Sequence, residues 1–328
     1  MGGIHGTMDA IETRVREVYF GQPLIVELML AALGARAHVL LEGPPGTAKT
    51  LLAWSLANSV GLRFKRVQLT PDLMPSDLTG TSVWLPQEGR FEFREGPVFT
   101  DALLADELNR APPKTQAALL EAMQERRVTL DGETRSLGER FWVVATQNPL
   151  EQEGTYPLPE SELDRFALKL SVTYPDEASE RRMLEHHHRG GDPMERMRAQ
   201  GEGVATVEEL TAWQEATESV HVDGSVLDYI NRIVRGTRGH GDLAWGAGPR
   251  GAIALLRCGR ALATVRRRDY VIPDDVRDLV GPALGHRVRV LPEAQIAGVT
   301  VDQVLGRIVA DVPMPAVHGP TPTEPDGT

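Results

Sequence analysis

Short apolar runs alternate with stretches of helical spacing through the first half of the chain. The runs are residues 38–41, 64–69, 103–105, 141–145 and 166–170. Between them, apolar positions recur every three or four residues, which is the period of a helix with one buried face. Short apolar strands that alternate with helices are typical of a parallel sheet covered on both faces. The pattern therefore predicts an α/β fold.

The pattern changes after residue 175. From 176 to 311 only helical spacing is found, as at Leu227, Ile230, Ile233 and Val234. We predict an α/β domain over 1–175, a smaller helical domain over 176–312 with a loop at 189–204, and a disordered tail over 313–328. Alternating residues around turn signals also predict two β-hairpins inside the α/β domain, over about 83–97 and 127–137.

Composition and charge disfavour several classes of protein. The net charge of −11 over 328 residues disfavours nucleic-acid binding as the main activity, because such binding depends on cations that neutralise phosphates. The single cysteine, Cys258, lies among small and apolar residues and is expected to be buried. The sequence shows no signal peptide and no run of about 18 apolar residues, so a cytoplasmic protein without a membrane span is expected.

A phosphate-binding loop is the strongest chemical signal. The segment that follows the apolar run 38–41 and opens a helix is Gly43, Pro44, Pro45, Gly46, Thr47, Ala48, Lys49 and Thr50. Such a loop turns its N–H groups toward phosphate at a helix N-terminus, while Lys49 adds charge and the Thr50 hydroxyl can bind Mg²⁺. Ala48 replaces the glycine of the strict pattern, which is tolerable if that residue is already helical, because alanine then needs no positive φ.

Two adjacent carboxylates follow the third apolar run. Asp106 and Glu107 come directly after Leu103-Leu104-Ala105, so both are expected at the carboxyl edge of the sheet, where ligands of such folds bind. Asp106 is the candidate Mg²⁺ ligand, and Glu107 is the candidate base that polarises the attacking water. An acidic helix start is the alternative interpretation, and the loop about sixty residues upstream disfavours it.

Three further residues are candidates for contact with phosphate. Asn148 follows another strand and can bond the γ-phosphate or the water, with Gln147 and Thr146 as rivals and an Asn-Pro turn as the alternative. Arg165 precedes the last strand and can reach a neighbouring subunit's phosphate, unless it pairs with Asp164. Arg250 lies near a helix N-terminus, where the dipole disfavours a cation, so either it serves a phosphate or it is an ordinary exposed arginine.

Taken together, the chain resembles AAA+ ATPases of the MoxR family from about residue 10 to about residue 311. The motifs that carry the resemblance are LLEGPPGTAKT (40–50), ADELNRA (105–111), KTQAALLEAMQE (114–125), ATQNP (145–149), GTYPLPE (154–160), LDRF (163–166) and GPR (248–250). The alanine at position 48 is itself typical of that family.

The resemblance implies a P-loop core with a parallel sheet flanked by helices and a C-terminal all-helical lid. It implies ATP and Mg²⁺ as ligands, Asn148 as first sensor, Arg250 as second sensor and Arg165 as arginine finger. It also implies that Leu51 completes the phosphate loop and that Gly21 and Gln22 lie near the adenine. It further implies a homo-oligomer, a hexamer in this family, that remodels a protein client with a von Willebrand factor A domain protein as partner. Segments 83–97 and 127–137 would then be the hairpins that approach the central pore.

Other features have two interpretations each. His186, His187 and His188 point around a helix axis, so a solvated helix end is favoured over a metal site. The run Arg266 to Arg268 suits a helix C-terminus better than nucleic acid. Trp84, Phe91 and Phe93 are either packed strand residues or groups that grip a client. The alternatives to a remodelling motor are an ATP-sensing switch with little turnover and a DNA-directed motor, which the net charge disfavours.

Overall fold

The computed structural model describes residues 2–316 except 151–153, 189, 191, 200 and 202. Its strands are β1 (Val39–Glu42), β2 (Phe64–Gln68), β3 (Gly80–Leu85), β4 (Arg90–Glu95), β5 (Ala102–Asp106), β6 (Arg127–Leu130), β7 (Glu133–Ser136), β8 (Trp142–Gln147), β9 (Leu168–Ser171), β10 (Leu243–Trp245) and β11 (Arg289–Val290).

The helices are α1 (Gly2–Arg16), α2 (Pro23–Gly34), α3 (Lys49–Ser59), α4 (Pro75–Thr79), α5 (Pro113–Glu125), α6 (Glu160–Leu163), α7 (Glu177–His188), α8 (Pro193–Ala199), α9 (Val207–Glu218), α10 (Gly224–Gly239), α11 (Pro249–Val265), α12 (Pro273–Leu284), α13 (Pro292–Ile296) and α14 (Val301–Asp311), with a 3₁₀ turn at Leu108–Arg110. Several helices begin with proline, which suits the first helical position because that N–H has no intrahelical acceptor.

Five parallel strands form the central sheet, in the order β2-β5-β8-β1-β9. Alternate residues of each strand face opposite sides and contribute to different cores. Leu41 and Leu104 pack into one hydrophobic cluster, and Leu40 and Leu103 into the other. The predicted α/β fold with helices on both faces is confirmed.

The sheet has two chemically different edges because all five strands run in one direction. The segments after β1, β5 and β8 meet at the carboxyl edge, where Glu42 pairs with Gln147 and Gln68 with Asp106. The segments before β1 and β9 meet at the amino edge. The predicted site residues are therefore divided between two edges, one strand length apart.

Two antiparallel hairpins leave the α/β domain. β3 and β4 pair from Gly80 to Glu95, so this hairpin begins three residues before the predicted start. Gly80 has φ 96°, and a Cβ there would lie 2.3 Å from the carbonyl oxygen of Arg94, so the base of the hairpin requires glycine. β6 and β7 pair around Asp131 and Gly132, both with positive φ, as the hairpin turn predicts.

The part of the chain after β9 is mainly helical, with two corrections to the sequence prediction. β10 and β11 form a short antiparallel pair, so the lid is not entirely helical. The predicted loop at 189–204 contains α8, although four of its residues lie outside the described part. Residues of the lid and of the α/β domain belong to one hydrophobic cluster. Trp213 of α9 is fully buried in this cluster.

Of the predicted tail, residues 317–328 lie outside the described part of the chain. Within the described residues, no helix is both long enough and apolar enough to cross a membrane.

Candidate functional site

The predicted phosphate loop connects β1 to α3 at the carboxyl edge of the sheet. Gly43 cannot carry a side chain, because a Cβ there would lie 2.1 Å from the carbonyl oxygen of Val172. Gly46 has φ 81° with nothing within 4 Å of its Cβ position, so space is left beside the loop. The first N–H groups of α3 have no intrahelical acceptors, as at any helix N-terminus, and are available to a ligand at this loop. The loop therefore fits an anion such as a phosphate.

Ala48 does not meet the condition under which the sequence would make alanine tolerable. A helical backbone would satisfy that condition, but Ala48 has φ 59° and ψ 26° and is the left-handed residue that caps α3. A left-handed conformation costs an L-residue roughly 1–2 kcal/mol, so the loop retains strain that a glycine would relieve. The tolerance of alanine at this position is therefore not explained by a helical backbone.

Lys49 lies at the start of α3 and bonds its own loop. Its Nζ donates to the carbonyl oxygens of Gly43 (2.8 Å) and Pro44 (2.7 Å). Burial lowers the pKa of Lys49, while the carboxylates of Asp106 and Glu107 oppose that shift. The lysine and the two acids therefore act on one another electrostatically, although they come from different elements.

The acidic pair is organised by a threonine of the adjacent strand. Thr146 Oγ1 donates to Asp106 Oδ1 (2.6 Å) and accepts the backbone N–H of Glu107 (2.9 Å). Thr146 is almost fully buried. The sequence analysis named Thr146 and Gln147 as rivals of Asn148. Among the hydrogen bonds of these three described residues, those of the Thr146 side chain reach the acidic pair.

Each acid also has an arginine partner. Arg66 of β2 donates to Asp106 Oδ2 from Nη2 (2.7 Å) and from Nε (3.0 Å). The Nε of Arg110 lies 3.1 Å from Glu107 Oε2. Glu107 has φ 58°, which turns the chain from β5 into the 3₁₀ helix that carries its partner Arg110. Both arginines escaped the sequence analysis, because strand pairing and a left-handed turn bring them to the acids.

Asn148 is buried after β8, and its side chain is used locally. Its Oδ1 accepts the backbone N–H of Leu150 (3.1 Å), which is the Asn-Pro turn named as the alternative. The carbonyl of Gln147 accepts the N–H of Gly43 (3.3 Å), so the end of β8 adjoins the phosphate loop. Asn148 as first sensor stays a prediction.

A cavity of about 530 Å³ opens beside the phosphate loop. Gln22, Ile25 and Leu28 line one wall, Glu42 and Lys169 the sheet edge, and Gly281, Pro282, Gly285 and His286 of the lid the opposite wall. Gln22 Oε1 is buried and has no hydrogen-bond partner among the described residues. Gly21 does not line this cavity, and a Cβ there would overlap the Tyr19 ring. The apolar side chains of Ile25, Leu28 and Pro282, together with this amide oxygen, fit a planar base with polar edges.

The two predicted arginines lie at the opposite edge of the sheet. Arg165 and Arg250 line a cavity of about 200 Å³ between the amino edge and the lid. Arg250 Nη1 bonds Asp164 Oδ2 (3.1 Å). Asp164 therefore pairs with Arg250, and with Arg287 through its other oxygen, rather than with Arg165 as the alternative interpretation supposed. Neither arginine lies near the phosphate loop of its own chain.

Three other sequence features have structural explanations. Arg266 and Arg268 bond Asp275, and Arg267 pairs with Asp9, so this basic run is neutralised within the chain. His187 and His188 are exposed while His186 packs on Phe20, and no group of potential metal ligands is found among the described residues. Cys258 is fully buried, as expected, and burial raises the pKa of its thiol to about 12.

The hairpin aromatics differ in their environments. Trp84 and Phe91 are directly opposite on β3 and β4, with ring centroids 5.0 Å apart, and are 49% and 66% exposed. Phe93 is half-buried, and the Cζ atom of Arg135 of β7 lies 4.1 Å from the centroid of its ring. In addition, Ser82 Oγ donates to Asp131 Oδ2 (2.5 Å). The two hairpins thus contact each other, and one aromatic pair remains at the surface.

Comparisons with known proteins agree with this architecture. The sequence profile described as "ATPase family associated with various cellular activities (AAA)" matches residues 38–168, and the AAA lid domain profile matches residues 235–308. A Cytophaga hutchinsonii protein of known structure, described as a candidate ATPase, superposes with a TM-score of 0.87 at 36% identity, over 95% of this chain and 96% of that one. The fold and the site thus define a AAA+ type ATPase.

Relatives specify the family. Chaperone MoxR1 of Mycobacterium tuberculosis is 39% identical over 97% of this chain and 86% of its own length. The uncharacterized protein YeaC of Bacillus subtilis is 43% identical over 95% of this chain and 96% of its own. This chain belongs to the MoxR family of AAA+ ATPases, as its motifs predict.

Proposed function

We propose that this protein hydrolyses ATP with Mg²⁺ in an oligomeric ring and uses the cycle to remodel a protein client. The observation that carries the proposal is the division of the site between two sheet edges. Lys49, Asp106 and Glu107 lie at the carboxyl edge, whereas Arg165 lies before β9 at the amino edge. Four residues of strand separate the edges by roughly 13 Å, so Arg165 serves a neighbouring chain's phosphates rather than its own.

The residues at the carboxyl edge have distinct roles in this proposal. The amides of residues 46–51, including Leu51, and the Lys49 ammonium hold the phosphates. Gln22 and the apolar residues beside it hold the base, with Gly21 as a spacer at the bend between α1 and α2. Thr50 and Asp106 supply the hard oxygen ligands that Mg²⁺ prefers, and one lone pair of Asp106 Oδ1 remains beside the Thr146 bond. Bound Mg²⁺ would neutralise charge on the phosphates.

Glu107 acts as the base that orients and polarises the attacking water. Its position is fixed by the bond from its own N–H to Thr146 and by the Arg110 guanidinium. Asn148 lies within the same edge and serves as first sensor. Arg165 and Arg250 approach from the next subunit, where fixed guanidinium groups stabilise the charge that develops during transfer.

Other observations support the proposals about the assembly and the client. The MoxR resemblance supports a hexamer, a von Willebrand factor A domain partner and a cytoplasmic location, each of which stays a prediction. The exposed Trp84–Phe91 pair supports contact with a client, because a pair of large aromatic side chains at a hairpin tip offers apolar area to a partner. The neutralised Arg266 to Arg268 run offers no support for a DNA-directed motor.

The proposal is tested by measuring ATPase rate against protein concentration, with light scattering on the same samples. The turnover per subunit should rise as a ring-sized species appears. It should fall by at least ~10³-fold in Arg165→Ala and in Glu107→Gln. Arg181→Ala, which removes an exposed arginine of α7, is the matched control and should keep full turnover. Turnover that is independent of assembly, or unchanged in Arg165→Ala, would refute the shared site.

The client is tested in the same assay with a reduced, alkylated polypeptide that cannot fold. Stimulation of the wild type that disappears in Trp84→Ser/Phe91→Ser, with the basal rate preserved, supports the aromatic pair as a client contact. Equal stimulation of both proteins would exclude that pair.

A further inference from the structure

We infer that Arg287, three residues beyond the end of α12, is a positioning residue that holds Arg165 in the geometry needed to reach the neighbouring subunit. This inference rests on the proposed action of Arg165 on the neighbour's phosphates. Arg287 belongs to no sequence motif that pointed to function. It touches neither the phosphate loop nor the acidic pair, and it acts through the segment that carries Arg165.

The Arg287 guanidinium uses all five of its N–H donors. Nε donates to Asp164 Oδ1 (2.7 Å), and Nη2 donates to the carbonyl oxygens of Asp164 (2.9 Å) and Phe166 (2.7 Å). Nη1 donates to the carbonyl oxygens of Ala167 (3.0 Å) and Ala283. Three of the five bonds therefore end on the residues directly before and after Arg165, and a fourth ends on Ala167.

Burial makes this arrangement specific to arginine. The Arg287 side chain is only 3% exposed. Burial lowers the pKa of Arg287, and the bond and the charge of Asp164 oppose that shift. A buried cation is tolerated only when its donors are satisfied, and a guanidinium can satisfy several acceptors in one plane. A lysine keeps the charge, but its three donors cannot span acceptors from Asp164 to Ala167.

The lid reinforces this attachment beside Arg287. His286 Nε2 donates to the carbonyl of Phe166 (3.0 Å), the same oxygen that accepts from Arg287. Gly281, Pro282, Gly285 and His286 also line the cavity beside the phosphate loop. The position of Arg165 therefore follows the position of the end of α12, and α12 in turn faces the nucleotide pocket of the same chain.

The same attachment determines where Arg250 lies. Asp164 accepts from Arg287 with Oδ1 and from Arg250 with Oδ2, so the carboxylate joins a buried arginine to a half-exposed one. Arg165 and Arg250 are consequently presented together at the amino edge. Arg287 therefore positions both of these arginines.

The test combines one variant with subunit mixing. Arg287→Lys should assemble and bind a fluorescent ATP analogue within about twofold of wild type, while its kcat falls about 10- to 100-fold, as a small misplacement of a catalytic group does. Glu107→Gln subunits are inactive at their own site but present an intact Arg165. A 1:1 mixture with Arg287→Lys should therefore regain roughly a quarter of the wild-type rate, because about one interface in four joins an intact site to an intact finger.

Controls separate this inference from the proposed function. Arg165→Ala mixed with Glu107→Gln must regain activity if Arg165 acts on the neighbour. If that mixture recovers and the Arg287→Lys mixture does not, the positioning role is wrong. If neither recovers, the shared site itself is wrong. Arg289→Lys, which alters an exposed pair with Glu160 on α6, is the matched control and should keep full turnover.

A second variant covers a failure of Arg287→Lys to fold. Asp164→Asn keeps the shape of the acceptor, removes the charge that holds Arg287, and leaves the four carbonyl contacts in place. It should lower kcat and recover in the same mixture with Glu107→Gln. Unchanged kcat in either variant would overturn the inference.

Discussion

Two residues of the candidate site have left-handed backbones that their side chains disfavour. Ala48 has φ 59° and Glu107 has φ 58°. Each conformation costs roughly 1–2 kcal/mol, and such strain is found where a site requires one particular geometry. At Ala48 it turns the loop into α3. At Glu107 it turns the chain from β5 into the 3₁₀ helix, at the residue whose N–H donates to Thr146, so the strain and the Thr146 bond belong to one arrangement.

Thr146→Val tests that arrangement at the level of one atom. Valine has nearly the shape of threonine, so packing between β5 and β8 is retained while the bonds to Asp106 and to the Glu107 N–H are lost. Loss of a hydrogen bond to a charged group is worth about 1.5–3 kcal/mol. We therefore expect kcat to fall about 10- to 100-fold, with binding of a fluorescent ATP analogue little changed.

The matched control is Thr211→Val in α9, whose hydroxyl bonds the carbonyl of Val207 far from the site (2.9 Å). It should keep wild-type turnover. If Thr146→Val also keeps full turnover, the threonine does not organise the acidic pair.

At the scale of elements, the sequence predicted the features that depend on local residue order. It did not predict the features that depend on contacts between segments distant in the chain. The phosphate loop, the acidic strand end and the second hairpin follow from residue order and turn chemistry. The start of β3 does not, because Gly80 is required by the carbonyl of Arg94 fourteen positions later. Arg66 was missed for a similar reason: only the pairing of β2 with β5 brings it to Asp106.

The connection between α11 and α12 carries a buried charge cluster that we expect to stabilise the fold. Asp275, in the first turn of α12, is fully buried. It accepts bonds from Arg266 (3.2 Å), from Arg268 (2.7 Å) and from the N–H of Ile272 (3.0 Å). Breaking a buried pair by removing one partner leaves uncompensated charge and costs about 3–5 kcal/mol.

Asp275→Ala should therefore lower the free energy of unfolding by about 3–5 kcal/mol, measured as a lower urea midpoint. Asp274→Ala changes the adjacent carboxylate, which is 60% exposed, and should alter stability by no more than ~0.5 kcal/mol. Equal effects of the two substitutions would show that the buried cluster contributes nothing specific.

For the whole molecule, composition disfavours nucleic-acid binding as the main activity, but it does not locate the proposed shared site. The net charge of −11 gives no indication that six arginines gather near the amino edge. Four of them line one cavity: Arg165, Arg250, Arg257 and Arg287. The other two are Arg36 and Arg126; burial lowers the pKa of Arg126, and the charges of Arg257 and Arg36 add to that shift. Their proximity arises from the packing of α11 and α12 against the segments that precede β1 and β9. These segments are distant in sequence, so spacing alone does not reveal the cluster.

The same edge contains a histidine that should make folding sensitive to pH. His38 lies just before β1, and its Nδ1 accepts the N–H of Val143 (2.9 Å) while Nε2 donates to the carbonyl of Met123 (3.2 Å). Both nitrogens are thus satisfied in the neutral ring. Burial lowers the pKa of His38 to about 4, and the nearby charges of Arg126 and Arg257 add to that shift.

Because the unfolded chain binds a proton at His38 near pH 6.5 and the folded chain does not, stability should fall as the pH decreases from about 6.5 to about 4. At about 1.4 kcal/mol per pH unit this single group accounts for up to about 3 kcal/mol. His286, whose pKa burial lowers to about 3, acts in the same direction. The pKa of Asp101 is also lowered in the folded chain, and this group reduces stability only when the pH falls near and below its ordinary pKa of 3.8. Its effect on stability therefore begins at a lower pH than that of His38.

Urea midpoints measured between pH 7.5 and pH 4.5 test this expectation. His38→Gln should be less stable at pH 7.5 but should lose less stability on acidification, because a glutamine takes up no proton. His187→Gln, which changes an exposed histidine of α7, should keep the wild-type pH dependence. If His38→Gln and the wild type lose stability in parallel over this range, protonation of the buried imidazole is not what makes the fold sensitive to acid.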